Sequence, residues 1–277
     1  MGRIDARFDD IRRAGGPGLV TYVTAGDPDL AASREVLLAL DRGGADLIEV
    51  GVPFSDPIAD GPSIQRATER ALAAGGNLAR TLELIADVRP AVSAPIVLFT
   101  YVNPVLRMGT EGFVDRAAES GVDGVLLLDL PIEESAPMHH ALGARGLDQI
   151  FLVSPTTTAA RLADAATLGR GFLYAISRLG VTGARDTVAS SAAGLVERLR
   201  SLTRLPVAVG FGISRPEHVR EVCRFADAAV VGSAIVDVIG EAAGAGRRPA
   251  DDVEPFVRWL KAGGPRDLRA TAVSGSK

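Results

Sequence analysis

The sequence predicts an α/β fold, a closed (β/α)8 barrel, and three observations carry that prediction. Eight short β-rich apolar runs recur along the 277 residues. Ala-, Leu-, Arg- and Glu-rich stretches with helical periodicity separate them, as in successive βαβ units of a parallel sheet. The runs are continuously apolar rather than alternating, which suits strands covered on both faces and favours closure over an open sheet.

The strands are read at Gly18–Ala25, Asp46–Val50, Ile96–Tyr101, Gly124–Leu128, Ile150–Val153, Phe172–Ile176, Pro206–Phe211 and Ala228–Val231. The helices between them are read at Ala31–Arg42, Leu78–Ala91, Glu111–Ser120, Glu133–Arg145, Thr158–Leu168, Ala189–Leu202 and Pro216–Phe225. Two features modify the plain TIM barrel. Gly2–Ala14 reads as an extra N-terminal helix over the barrel floor, and Gly61–Ala74 as a helix inserted after strand two. The insertion follows a strand end, the face on which barrel enzymes build active sites. Residues 1–262 are expected to form one catalytic barrel domain, with 263–277 a disordered tail lacking periodicity.

Composition narrows the function. The net charge is −4 and the arginines are scattered, which argues against a nucleic-acid or membrane surface. Cys223 is the only cysteine, so no intrachain disulfide can form, and a reducing cytoplasm fits. The start, Met1 to Phe8, has early charges and no apolar stretch behind them, unlike a signal peptide. No apolar run approaches the roughly 20 residues that span a bilayer.

The most informative stretch is E-V-G-V-P-F-S-D-P-I-A-D-G, Glu49 to Gly61. Glu49 ends an apolar strand, where a lone carboxylate costs several kcal/mol unless it is neutralised or paired. Alternation sends Leu47 and Glu49 to one side of strand two and Ile48 and Val50 to the other. If Glu49 points inward, burial raises its pKa and lets it both donate and accept a proton near neutrality. Asp60 reads equally as a second site acid and as the N-cap of a helix beginning Gly61-Pro62. Asp27 and Asp56 each precede proline and read as turn residues. Tyr174, within strand six, suits a core ring and a site residue alike.

Gly-rich turns end the seventh and eighth strands, at Val209–Ser214 and Val231–Ile235, where barrels frequently bind phosphate. Ser233 supplies a helix-start hydroxyl there, and a third turn, Gly180–Gly183, follows strand six. Lysine occurs only at Lys261 and Lys277, so no strand carries the amine of a Schiff-base aldolase. His139, His140 and His218 lack metal-ligand spacing. What remains is carboxylate acid–base chemistry on a phosphorylated small molecule, with no cofactor.

The motifs T-A-G-D-P-D at Thr24–Asp29, E-V-G-V-P-F-S-D-P-I-A-D-G-P at Glu49–Pro62 and Y-V-N-P at Tyr101–Pro104 resemble the tryptophan synthase α-chain family. So do D-L-P-I-E-E at Asp129–Glu134, S-R-L-G-V-T-G-A-R at Ser177–Arg185, G-F-G-I-S at Gly210–Ser214 and G-S-A-I-V at Gly232–Val236. The resemblance implies a lyase that cleaves indole-3-glycerol phosphate to indole and glyceraldehyde 3-phosphate in tryptophan biosynthesis. It implies Glu49 as proton carrier, Asp60 as partner of the indole N–H, Tyr174 as site tyrosine and Thr182 as the residue positioning the aspartate. It further assigns the phosphate to Gly183, Phe211, Gly212, Gly232 and Ser233, and the indole pocket to Tyr22, Phe99, Leu126 and Leu152. Thr21, Phe99, Leu128 and Leu179 depart from the family pattern without removing a chemical group.

The same resemblance implies a pyridoxal-phosphate β chain as partner in an α2β2 heterotetramer, contacted through Pro53–Pro57 and Asn103–Met108. The alternatives are a free-standing lyase that releases indole for another pathway, and a catalytically idle partner that regulates a β chain.

Overall fold

The structure is a computed structural model that describes residues 2–176, 185–210 and 212–263. Eight parallel strands close into a barrel in sequence order. They are β1 (Gly18–Thr24), β2 (Leu47–Gly51), β3 (Ile96–Thr100), β4 (Gly124–Leu127), β5 (Asp148–Val153), β6 (Leu173–Ile176), β7 (Val207–Gly210) and β8 (Ala228–Val231). Closure is made by β8 pairing with β1, Ala228 opposite Gly18.

Alternation sorts each strand between two apolar layers. Leu19, Val23, Ile48, Val50, Ile96 and Leu98 face outward and pack with the surrounding helices. Val20, Leu47, Val97, Leu126, Ile150 and Phe172 face inward. The inward set fills the barrel floor, and helix α1 (Arg3–Ala14) closes it from below with Ile4, Phe8 and Ile11. Phe8 meets Phe172 with ring centroids 5.6 Å apart. Burying each such ring contributes about 2–3 kcal/mol, so the extra N-terminal helix is the barrel's plug, as its sequence predicts.

The outer ring begins with α2 (Leu30–Arg42), capped by Asp29, whose side chain accepts the Ala32 N–H at 2.8 Å. The predicted insertion after strand two is α3 (Pro62–Ala73), followed by α4 (Leu78–Val88) with Asn77 as its cap. The stretch read as Leu78–Ala91 ends at Val88 because Pro90 cannot donate into the helix, and Arg89–Ala91 tightens to a 3-10 turn. Next come α5 (Val102–Met108), α6 (Thr110–Glu119), α7 (Ala136–Ala144), α8 (Ala159–Leu168), α9 (Arg185–Arg200) and α10 (Pro216–Val222). Glu133–Arg145 is likewise divided, into a 3-10 turn at Ile132–Glu134 and α7.

Helices α11 (Ser233–Gly244) and α12 (Pro249–Ala262) complete the chain. One helix, α5, is absent from the reading of the sequence because it is too short to show a period. Residues 264–277, expected as a tail, lie outside the described residues. Among the described residues no helix is long and apolar enough to cross a membrane.

Candidate active site

The C-terminal ends of the strands enclose a cavity of about 350 Å3. Its lining joins residues from all eight strand ends: Tyr22, Glu49, Phe99, Leu128, Leu152, Tyr174, Gly212 and Gly232 among them. Asp60 enters from the segment between β2 and α3, Ile64 from the first turn of α3, and Ser233 and Asp237 from α11. Tyr22, Glu49, Asp60, Phe99, Leu152, Tyr174, Gly212, Gly232 and Ser233 thus line one cavity. Thr182, Gly183 and Phe211, as well as Leu179, lie outside the described residues.

Leu126 is a correction. It belongs to the floor layer with Ile4 and Phe8, fully buried, and Leu128 lines the cavity instead. Barrel strands tilt, so hydrogen-bonded neighbours stand at different heights along the axis. Phe99 therefore reaches the cavity while its register partner Leu126 lies a layer below.

Glu49 faces inward, opposite Tyr22 in register, and is only 1% exposed. Neither of its carboxyl oxygens has a hydrogen-bond partner. Burial without compensation disfavours the anion, and the pKa is pushed up to about 8. At neutral pH Glu49 is therefore mostly a carboxylic acid aimed into the cavity.

Asp60 is held differently. The N-cap of α3 is Gly61, without a side-chain cap, and Pro62 follows at the first helical position. This overturns the capping alternative and leaves the Asp60 carboxylate free for the cavity. Its Oδ2 accepts the Tyr101 hydroxyl at 3.3 Å. Burial raises its pKa and the Tyr101 bond lowers it, with a balance at about 6. The same Tyr101 oxygen accepts the Ala59 N–H at 3.0 Å, and its ring packs on Phe54 at 5.1 Å. Sequence reasoning missed Tyr101 as a site residue because it closes an apolar run and reads as the last residue of strand three.

Two glycines make room for the tyrosines. A Cβ on Gly51 would collide with the Tyr22 hydroxyl, and one on Gly210 with that of Tyr174. Each phenol therefore lies across a glycine of a strand end. Tyr22 also meets Phe99 edge to face at 5.2 Å, forming an apolar slot suited to a flat aromatic group. Burial and the nearby Glu49 raise the Tyr174 pKa, so its hydroxyl stays protonated.

At the other end of the cavity α11 begins directly after β8. No side chain caps it, and the Gly232 carbonyl accepts from Ile235 and Val236 at 2.9 and 3.1 Å. The first amides of a helix have no intrahelical acceptor and sit at the positive end of its dipole, which favours an anion. Gly212 faces the same space with φ 72°, a conformation that side chains other than glycine rarely adopt.

Asp27 lies in the turn after β1, as its sequence predicts, with its N–H on the Thr24 carbonyl at 3.3 Å, and its side chain has a further role. It is buried, and Arg70 of α3 binds it through Nε at 2.7 Å and Nη2 at 2.9 Å. The residue read as a turn former ties the end of β1 to the wall of the cavity.

A family model described as "Tryptophan synthase alpha chain" matches residues 8–263. The tryptophan synthase alpha chain of Citrifermentans bemidjiense is 49% identical over 263 residues, covering 95% of this chain and 98% of that protein. That of Methanosarcina mazei is 48% identical over 262 residues, covering 94% of each. Among solved structures, tryptophan synthase subunit alpha from Legionella pneumophila superposes with a TM-score of 0.87 at 34% identity, covering 94% of this chain and 97% of that one. A chain of the tryptophan synthase complex from Pyrococcus furiosus gives 0.80 at 39% identity, covering 88% and 98%.

Proposed function

Since the chain belongs to the tryptophan synthase alpha chain family, we propose that Glu49 and Asp60 carry that family's lyase reaction in this protein. The reaction is the cleavage of indole-3-glycerol phosphate to indole and glyceraldehyde 3-phosphate. One observation carries the assignment of roles: two carboxyl groups share a cavity, and their environments separate their pKa values to about 8 and about 6. Near neutrality the first is an acid and the second an anion, which divides the labour of an acid–base reaction.

The Glu49 carboxyl protonates the indole ring carbon that bears the glycerol side chain. Positive charge develops on the ring nitrogen, and the Asp60 carboxylate accepts the N–H and stabilises it electrostatically. Glu49, now a carboxylate, takes the proton of the hydroxyl on the adjacent side-chain carbon. The carbon–carbon bond breaks, its electron pair returns to the ring, and the hydroxyl carbon becomes the aldehyde. Glu49 ends protonated, as it began. The slot between Tyr22 and Phe99 suits the ring, Tyr174 borders it, and the start of α11 suits the phosphate. The whole catalytic unit is residues 1–262, and Thr182, Gly183 and Phe211 are assigned to the same site by family likeness.

The relatives are alpha chains, which does not favour the free-standing or idle alternatives. A β chain is the partner, in an α2β2 assembly, on the face formed by Pro53–Pro57 and Asn103–Met108. Ile58 beside the first segment and Leu106 within the second are 88% and 63% exposed, unusual for aliphatic side chains and suited to burial in an interface. Indole release from indole-3-glycerol phosphate by the purified chain tests the activity, and β chain should increase it. No indole in either condition overturns the reading, and a high rate that β chain leaves unchanged overturns the partnership.

The pKa separation predicts a bell-shaped pH dependence of kcat/KM with limbs near about 6 and about 8. Asp60→Asn should lower kcat by about 10²- to 10³-fold, the loss typical of removing one electrostatic stabiliser. The substrate phosphate also ionises near about 6. The part of the acid limb that disappears in Asp60→Asn belongs to Asp60, and a limb unchanged in that variant refutes its role.

A further inference from the structure

The charge around the cavity is one-sided. Its acidic lining groups are Glu49, Asp60 and Asp237, and among the described residues no basic side chain lines it. A substrate phosphate carries about −1.5 to −2 charges near neutral pH. Asp237 stands four residues after Ser233 on the same face of α11, one helical turn or about 5.4 Å along the axis. An anion at the start of α11 therefore has a carboxylate as its neighbour, which opposes the helix dipole.

The cation that offsets Asp237 comes from α3, which turns Arg66 and Arg70 toward α11. Their bonding differs. Arg70 is fixed by the two short bonds to buried Asp27. Arg66 is 59% exposed and makes single, longer contacts, 3.3 Å to Asp237 Oδ1 and 3.2 Å to Ser63 Oγ. A surface ion pair of this kind contributes little stability, so Arg66 gives up little by exchanging its partner.

We propose that Arg66 is the specificity-determining cation for the phosphorylated substrate. In the free protein it rests on Asp237 at the cavity rim. When substrate enters, the guanidinium turns about one helical turn toward the start of α11 and binds the phosphate, where two parallel N–H bonds to phosphate oxygens are available. Asp237 thus holds the arginine beside the subsite before binding. The inference rests on the reading of Gly232 and Ser233 as the phosphate subsite.

Steady-state cleavage of indole-3-glycerol phosphate by the full chain tests it, with inorganic phosphate and indole as separate competing probes. Arg66→Gln should raise KM and the inhibition constant of inorganic phosphate about tenfold, the scale of one lost charge-assisted bond. It should change kcat much less, and leave indole inhibition unaltered. Unchanged phosphate inhibition, or an equal loss for indole, overturns the proposal.

Asp237→Asn should tighten phosphate, since a like charge is removed and Arg66 is released. The double variant separates contact from simple neutralisation. Phosphate binding weaker than in Asp237→Asn supports direct contact; equal binding overturns it. Ser233→Asp places an anion at the subsite itself and should abolish phosphate inhibition. If it does not, the location of the subsite fails; if it does and Arg66→Gln is silent, only the inference about Arg66 fails.

Discussion

Glu49→Gln is expected to lower kcat for indole formation by about 10⁴-fold or more while leaving substrate binding within a few-fold of the native protein. Proton transfer by one positioned group contributes typically 10²- to 10⁴-fold, and Glu49 is used twice, first as acid and then as base. The amide has the carboxyl's size and, near neutrality, the charge of the form that predominates. A side chain 1% exposed without hydrogen-bond partners gives the amide the same surroundings. The loss should therefore fall on chemistry and spare KM. Asp60→Asn should lose less, because its amide oxygen still accepts the indole N–H and fails only to balance the charge. Turnover of Glu49→Gln within tenfold of native would refute the assigned role. Equal losses in the two variants would mean that Asp60 shares the proton transfer.

Much of this site is legible in the sequence, and the reason is local. An acid at the end of a buried strand is an energetic anomaly that needs no three-dimensional information. Alternation alone fixes that Glu49 shares a face with Leu47, and the structure has Leu47 in the inward layer with Ile48 and Val50 outside. The glycine turns after β7 and β8 follow from the same strand-by-strand reading. What stays hidden depends on partners distant in sequence. Tyr101 meets Asp60 across 41 residues, and Asp27 meets Arg70 across 43. Periodicity cannot supply either pairing. The misplacement of Leu126 has a different origin: which inward residue reaches the top layer depends on strand tilt and shear, which belong to the closed barrel and not to any one strand.

The group that makes the chemistry should also limit stability, and in a pH-dependent way. Glu49 titrates at its ordinary 4.5 in the unfolded chain and at about 8 in the fold. Between those values the folded protein retains a proton that the unfolded chain has released. Stability therefore falls as pH rises. It is unaffected by Glu49 below about 4.5, declines through the interval, and is lowest above about 8. The full interval corresponds to about 5 kcal/mol at about 1.4 kcal/mol per unit. Glutamine does not titrate, so Glu49→Gln removes this dependence while every other group is retained. Denaturant unfolding of the two proteins from pH 4.5 to 9 should show their stabilities diverging in favour of the variant, most steeply between pH 5 and 8. At about 2–4 °C per kcal/mol for a chain of this size, the variant should melt some ~10 °C or more above the native protein at pH 8. Parallel curves would mean that Glu49 is ionised in the fold, and with that the acid that begins the reaction would be lost. Divergence together with abolished turnover would trace both effects to one cause, a carboxyl kept neutral by burial.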